Sequence, residues 1–597
     1  MEKLKGQSMD LTQNNLDNLK QLFPEVFSEG KIDFDKLRIV LGDSIETDEE
    51  RYEFKWNGKS NAIKISQTPS AGTLRPDKES SKNWDTTENL YIEGDNLEVL
   101  KLLQKSYFGK VKMIYIDPPY NTGKDFVYKD NFRDSIANYK EMTNQTTKAN
   151  PETNGRYHTD WLNMMYPRLK LARNLLREDG VIFISLDDNE IHNLRKICDE
   201  IFGEDNLIIN ICHKARASVS NDKIISPNHN HILLYAKNMD VVFKDRKSIG
   251  LDPNLDGFSN PDNDPRGEYK LTPVDGPGGA KKGNPYYEFL GVEGYFRYSK
   301  ETMEQKHKDG LIVKTANGLQ QKYFLSTAKE SRKTDVSWWD NAGLTSNATR
   351  DLIQLMDEKT FDTPKPVSLI KRMLKLFCHF GKEDIVLDFF SGSCTTAHAL
   401  MDFNAEDGGN RKFIMVQLPE KTDEKSEAYK AGYENICEIG KERIRRAGEK
   451  VVSESGKTDV DIGFKVFKLD DSNIKEWNPD YNKLEETLNE MVDNLKSDRS
   501  KEDLLYEILI KMGIELTEPI KEIKVGDKII YNIGMGSLMI CLEDDISIDV
   551  INEIPKHKSE FVDMKVVFKE TGISDDSTKM NAIQNLKQFG ITDVRSV

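Results

Sequence analysis

Apolar residues along this chain recur in two periods. Between residues 10 and 27, Leu11, Leu16, Leu19, Leu22, Phe23 and Phe27 fall at roughly helical spacing, which predicts a small amphipathic helix packed on a larger body. From Ser66 to Asn89 the pattern gives way to Ser, Thr, Pro and Lys, the composition of an exposed connection leading into a new domain. Tyr91-Ile92-Glu93-Gly94-Asp95-Asn96 then reads as a short strand and a turn, after which Leu97, Leu100 and Leu103 share one helical face. Asp95 suits the N-cap, and Glu98 three residues on gives a capping-box-like pattern.

The apolar run Lys112-Met113-Ile114-Tyr115-Ile116 predicts a buried strand, and the polar stretch 133–158 a mobile loop. A helix is expected from Trp161 to Leu176, a turn at Asp179-Gly180, and a buried strand from Val181 to Leu186. Ile191, Leu194, Ile197 and Phe202 mark a further helix, closed by Gly203. Strand and helix alternating at this spacing predict an α/β, doubly wound, mostly parallel sheet. After Asn206 the rhythm breaks: Leu207-Ile208-Ile209 and His231 to Tyr235 read as strands, but 249–300 is irregular and rich in Asn, Asp, Gly and Pro. An insertion of that size in an α/β enzyme is a candidate substrate-reading region. The rhythm resumes with a helix carrying Leu369, Ile370, Met373, Leu374 and Phe377, and with strands at Ile385–Leu387, Lys412–Leu418 and Phe464–Leu469. Residues 472–503 read as charged and helical, and 505–597 as a small α+β unit without catalytic clusters.

The strand at 112–116 delivers Asp117-Pro118-Pro119-Tyr120 to its carboxyl end. The prolines fix φ and carry no N–H, so the Asp117 and Pro118 carbonyls are held as acceptors beside the Asp117 carboxylate. That cluster suits an exocyclic amine with its two N–H donors, and Tyr120 offers a flat face for an extruded base. The tetrapeptide resembles the catalytic motif of amino-group DNA methyltransferases, which methylate adenine N6 or cytosine N4 from S-adenosylmethionine. The longer string from Tyr115 to Phe126, with Tyr128 and Phe132 beyond it, is similar to the modification (Mod) subunits of Type III restriction-modification systems. Gly72-Thr73-Leu74 and Asn83-Trp84 also resemble that family.

A second block supports the resemblance. Phe361-Asp362-Thr363-Pro364-Lys365-Pro366 precedes a helix, and Asp388-Phe389-Phe390-Ser391-Gly392-Ser393-Cys394 follows a strand. A small-residue turn of this kind brings backbone N–H groups and a helix N-terminus close to a ligand, here the methionine carboxylate of the cofactor. Lys365 is a candidate to neutralise that carboxylate. The turn resembles the family's Asp-x-Phe-x-Gly-x-Gly cofactor loop, with Cys394 where the last Gly is usual. The resemblance adds Asp95 and Asn96 at the adenine end of the cofactor and Thr363 to the cofactor set. Gln417, at the end of the 412–418 strand, stands where an acidic residue would hold the ribose, with Glu420 three residues later as the alternative. Because the cofactor loop follows the catalytic motif in the chain, the resemblance implies a circularly permuted methyltransferase sheet.

Composition bounds the rest. At 597 residues, with 37% hydrophobic and 31% charged, the chain has room for several domains and reads as soluble. No apolar run reaches membrane-span length and no signal-peptide core opens the chain, so a cytoplasmic location is expected, with no membrane contact. Six scattered cysteines without a Cys-x-x-Cys pair indicate neither disulfides nor a zinc site, and no metal is expected. A net charge of −16 argues against a general nucleic-acid coat but leaves room for a local basic cleft. The candidates there are Lys214, Arg216, Lys223, Lys281 and Lys282.

The expected domains are an N-terminal extension (1–65), a catalytic half of the core (66–204), a target-recognition insertion (205–345), a cofactor half (346–460) and a C-terminal dimerisation or partner-contact region (461–597). The expected activity is adenine-N6 methylation of double-stranded DNA, by a homodimer that works with a restriction (helicase-nuclease) subunit. A solitary adenine methyltransferase would carry the same motifs. Cytosine-N4 methylation is disfavoured by Asp rather than Ser at the head of the motif, and protein-glutamine methylation by Asp rather than Asn. A non-catalytic DNA-specificity subunit is disfavoured by intact Asp117, Tyr120 and Gly392.

Overall fold

The computed structural model of the protein describes residues 2–3, 7–28, 31–41, 53–123, 157–379, 381–474, 495–573 and 576–597. Tyr128, Phe132, nearly all of the loop expected at 133–158, and most of the helical stretch expected at 472–503 lie outside them. In chain order the elements that position the site begin with β1 (Gly72–Lys82), β2 (Leu90–Glu93), α1 (Asn96–Tyr107), β3 (Val111–Ile116), α2 (Tyr157–Leu175), β4 (Leu176–Leu186) and α3 (Ile191–Phe202). They continue with β5 (Leu207–Lys214), β6 (His229–Ala236), β7 (Trp338–Trp339), α4 (Thr345–Met356), α5 (Val367–Phe377), β8 (Ile385–Asp388) and α6 (Thr395–Asp407). Last come β9 (Lys412–Gln417), α7 (Ile436–Ser455), β10 (Phe464–Asp471) and α8 (Lys501–Met512).

Ten of these strands form one sheet in the order β7-β5-β6-β4-β3-β8-β9-β2-β10-β1. The six from β4 to β10 run parallel, and β6 and β1 join them antiparallel on either side. The central strands are buried almost without alternation, as expected of a parallel sheet covered on both faces. Their helices bring the core together around Trp161, Leu169, Ile182 and Phe389, each fully buried. The register pairs Leu387 with Ile114, so β3 and β8, some 270 residues apart in the chain, end side by side. Both sequence motifs therefore open at the same edge of the sheet, at the crevice where α/β folds place ligands.

Three expectations change. The polar stretch 66–89, expected as an exposed connection, contains β1, an edge strand against β10 with Leu74 opposite Leu469. An edge strand needs one hydrogen-bonded neighbour and tolerates Pro and charge, which is why Pro76 and Arg75 fit; Arg75 pairs with Asp470 and Asp503 at 3.2 and 3.0 Å. The turn expected at Asp179-Gly180 lies inside β4 as an irregularity, where Val111 faces Leu176 but Met113 faces Val181. Asp95 does cap α1, accepting from the N–H groups of Leu97 and Glu98, but the Glu98 carboxylate turns to Lys101 at 2.7 Å.

The stretch expected as an insertion at 205–345 divides. Its apolar strands β5 and β6 extend the central sheet, with Ile211 opposite Ile232, and Trp338-Trp339 closes its edge. Phe243–Val336 with Lys375–Phe380 forms a separate compact unit. That unit has a three-stranded antiparallel sheet (Tyr269–Pro273, Gly318–Phe324, Ile312–Thr315) and a core of Val274, Phe289, Phe296, Met303, Ile312 and Leu319. At the other end of the chain, residues 520–596 build a second sheet with its own core, which Glu2–Lys3 joins parallel to Asp593–Ser596. Among the described residues no helix is long and apolar enough to cross a membrane.

Candidate active site at the carboxyl ends of the central strands

Asp117 leaves the end of β3 with its side chain about a quarter exposed. Its Oδ1 accepts from Tyr120 OH at 3.0 Å, and its Oδ2 pairs with the ammonium of Lys365. Lys365 Nζ also lies 5.1 Å from the centroid of the Tyr120 ring. Burial, with the neighbouring Asp117 charge, pushes the Tyr120 phenol well above its ordinary value, so the hydroxyl remains a donor. Asn230 of β6 donates to the same hydroxyl at 3.3 Å.

The chain beyond the motif is stapled down. Trp161 Nε1 donates to the Pro119 carbonyl at 2.7 Å. Asn121 takes a left-handed φ of 60° and donates to the buried Glu190 at 2.6 Å, where His158 and Asn193 also converge. Two flanking helices thereby fix the loop that carries Asp117 and Tyr120. Neither Glu190 nor Asn230 stood out in the sequence, because each comes from a different segment and Asn230 lies between two histidines at the polar start of β6.

On the neighbouring strand, Asp388 closes β8 and accepts from Thr396 Oγ1 at 2.6 Å and from Phe390 N–H at 3.1 Å. Burial pushes its carboxyl up to about 7 against those hydrogen bonds. Gly392 has φ +50°, and its N–H donates to Gln417 Oε1 at 2.7 Å. Cys394 takes φ 60°, ψ 43°, the left-handed conformation that the more usual Gly would adopt freely, at a cost of roughly 1–2 kcal/mol. Its thiol is buried and pushed up to about 12, which makes it inert as a nucleophile.

Room for that side chain comes from Gly440 on α7. A Cβ there would stand 2.9 Å from Cys394 Sγ, 3.0 Å from Tyr91 OH and 3.3 Å from the Gly392 carbonyl. Gly440→Ala should therefore destabilise the fold and weaken cofactor binding, even though Ala gains about 1 kcal/mol over Gly in a helix interior. Overpacking of a filled core costs about 1–3 kcal/mol and wins that comparison. Thermal unfolding and cofactor titration check this; a more stable variant with unchanged affinity would contradict it.

The two strand ends enclose a cleft of about 420 Å³. Asp117, Pro118, Pro119 and Tyr120 line one side, and Thr363, Phe390, Gly392, Gln417 and Glu420 the other, with Lys365 between. Arg216 lines it as well, alone among the basic candidates. Lys214 lies in β5, Lys223 is exposed, and Lys281 and Lys282 belong to the separate Phe243–Val336 unit.

Five cofactor candidates stand behind the wall instead of on it. Asp95 and Asn96 are buried and bonded to Arg168 at 3.1 and 2.5 Å, and Asn96 Nδ2 holds the Phe389 carbonyl at 2.7 Å. Their side chains cap α1 and hold the loop from beneath. Asp388 and Phe389 are buried under the loop, and Ser393 Oγ accepts from Arg443 at 2.7 Å. Lys365 pairs with Asp117, and the Gln417 amide oxygen accepts from the Gly392 N–H.

The cleft fits S-adenosylmethionine by size and by charge. Its volume lies in the range of small-molecule sites. α6 points its N-terminus at the loop, and behind it the buried Arg443 bonds, among the described residues, only neutral groups: Ser393 O, Ser393 Oγ and Thr395 Oγ1, at 3.3, 2.7 and 2.8 Å. Among the described residues Arg443 Nε has no hydrogen-bond partner, and burial pulls the guanidinium down to about 10. A buried cation behind a helix N-terminus, without a carboxylate of its own, favours an anionic group in front of it.

The family profile described as DNA methylase matches residues 111–447. Over 465 residues the chain is 35% identical to the Type III restriction-modification enzyme StyLTI Mod subunit of Salmonella typhimurium, covering 74% of this chain and 70% of that one. It is 34% identical over 509 residues to the EcoPI Mod subunit of Escherichia phage P1, covering 76% and 78%. It is 33% identical over 515 residues to the EcoP15I Mod subunit of Escherichia coli, covering 76% of each.

Proposed function

Because this chain belongs to the S-adenosylmethionine-dependent DNA methyltransferases of the Type III Mod family, we propose that it methylates adenine N6 in double-stranded DNA through Asp117 and Tyr120. The observation that carries this reading is the position of Lys365. Its ammonium donates to Asp117 and lies over the Tyr120 ring, which are the two contacts an exocyclic amine on a stacked base would make.

A base turned out of the duplex displaces that ammonium. Asp117 then accepts one amino N–H and the Pro118 carbonyl the other, while Tyr120 stacks against the ring. S-adenosylmethionine, when bound, supplies a methyl group on a positively charged sulfur, open to direct displacement. Asp117 orients and polarises the amine and need not be a strong base, because proton loss can follow methyl transfer. Holding the reactants in line is worth ~7–11 kcal/mol in general. The α6 N-terminus, backed by Arg443, would hold the cofactor carboxylate, and Glu420 would take the ribose while Gln417 holds the loop through the Gly392 N–H. Lys365, released from Asp117, is free to turn toward the same carboxylate.

Target reading is assigned to the 205–345 stretch, with Arg216 at the mouth of the cleft. The C-terminal region is assigned to a second copy or a restriction subunit, a reading supported by Met535 and Phe561, which are 90% and 93% exposed. Labelled S-adenosylmethionine and unmodified genomic DNA provide the test. The expected product is N6-methyladenine at one short sequence. N4-methylcytosine would overturn the target base, and bound cofactor without any transfer would overturn the catalytic reading.

A further inference from the structure

We propose that Asp188, His229 and His231 form a binding site for one divalent transition-metal ion of the zinc type, on the face of β6 opposite Asn230. The sequence His229-Asn230-His231 lies in a strand, so the alternation of side chains puts both imidazoles on one face and Asn230 on the other. β4 runs antiparallel beside it with Leu186 opposite His231, and continuing that register by two residues brings Asp188 alongside His229.

One ligand atom from each of the three residues lies within 4.8 Å of the other two. His231 Nε2 and Asp188 Oδ1 are already 3.0 Å apart, and the two imidazole centroids 5.0 Å. Tetrahedral coordination at bonds of about 2.0–2.1 Å needs ligand atoms roughly 3.3 Å apart. The His–Asp pair meets that spacing, and the remaining side chain needs a shift of about 1–1.5 Å, within the reach of χ rotation. The ion would take the place of the direct His231–Asp188 contact.

The surroundings fit such an ion. His231 Nδ1 lies 3.2 Å from the Asn210 side-chain amide, which after an end-for-end flip accepts the N–H that a metal-bound imidazole turns outward. Cys212 pairs opposite His231 in β5 and shares its face, so a soft donor is next to the site. Two imidazoles and one carboxylate select zinc, nickel or copper over magnesium or calcium. Asp188 is 64% exposed, which leaves an open path for the ion. Lys214, opposite His229, sets a cation on the same face, and its long stem carries the charge into water. An ion held here would stiffen the strand that presents Asn230 to the Tyr120 hydroxyl.

Metal-free full-length protein titrated with Zn²⁺ against a chromophoric chelator, followed by dialysis and elemental analysis, tests this without any assay of methyl transfer. One equivalent should bind, and affinity should fall by at least about tenfold in both His231→Ala and Asp188→Asn. Asp188→Asn changes an exposed side chain, so it reads out ligand loss even if the histidine variant folds poorly. Stoichiometry and affinity unchanged in Asp188→Asn, or no equivalent retained by the wild type, would overturn the site.

Discussion

Asp117→Ala is expected to lower turnover by about a thousandfold or more, roughly 4 kcal/mol of barrier, while affinity for S-adenosylmethionine stays within a few-fold of wild type. The reason is a division of labour between strands. Asp117 projects from the end of β3 and touches Tyr120 OH and Lys365, whereas Phe390, Gly392 and Gln417 reach the cleft from β8 and β9. Removing the carboxylate takes away the acceptor that aims the amine and leaves the cofactor wall in place. Lys365 and Tyr120 both lose a partner, but both retain access to the cleft, so the folding penalty should be small. Single-turnover kinetics together with cofactor titration would separate the two effects. A folded Asp117→Ala protein that no longer binds cofactor would refute this assignment of roles.

Arg168→Leu is expected to destabilise the fold by about 3–5 kcal/mol, the usual cost of removing one partner from a buried ion pair. Arg168 is fully buried, and its guanidinium bonds Asp95 Oδ2, Asn96 Oδ1 and the Met164 carbonyl. Its loss leaves the Asp95 carboxylate buried without its cation. It also loosens Asn96, whose amide holds the Phe389 carbonyl under the cofactor loop. Cofactor affinity should therefore fall together with stability. Adding Asp95→Asn to Arg168→Leu should recover part of the stability, because the amide keeps the N-cap oxygen and removes the stranded charge. Denaturant midpoints of the two single variants and the double variant measure this. A loss under about 1 kcal/mol for Arg168→Leu would show that the pair contributes little.

Much of the site was legible because its chemistry is local. Asp117 to Tyr120 is contiguous, and so is Asp388 to Cys394. Each sits at the end of an apolar run that only a buried strand explains, and the structure closes one cleft with both. The polar edge strand β1 was not legible, because its pattern is that of a loop and only pairing with β10 makes it a strand. Gly440 was equally silent. Its requirement for a missing Cβ exists only because Cys394 lies across from it, 46 residues away in the chain.

By itself, the order of residues determined the alternation of strands and helices, the parallel class of the sheet, and the two motifs with their backbone demands. Periodicity and side-chain volume act between neighbours, so these features are set within a few residues of chain. The tertiary structure alone decided the partners of the polar groups: Lys365 on Asp117, Gln417 on Gly392, Arg168 beneath Asp95 and Asn96, and Asn230 on Tyr120. Each of those contacts joins segments 25 to 248 residues apart. Which of several chemically equivalent partners a buried donor finds depends on strand order and register, and those are settled only when the sheet closes.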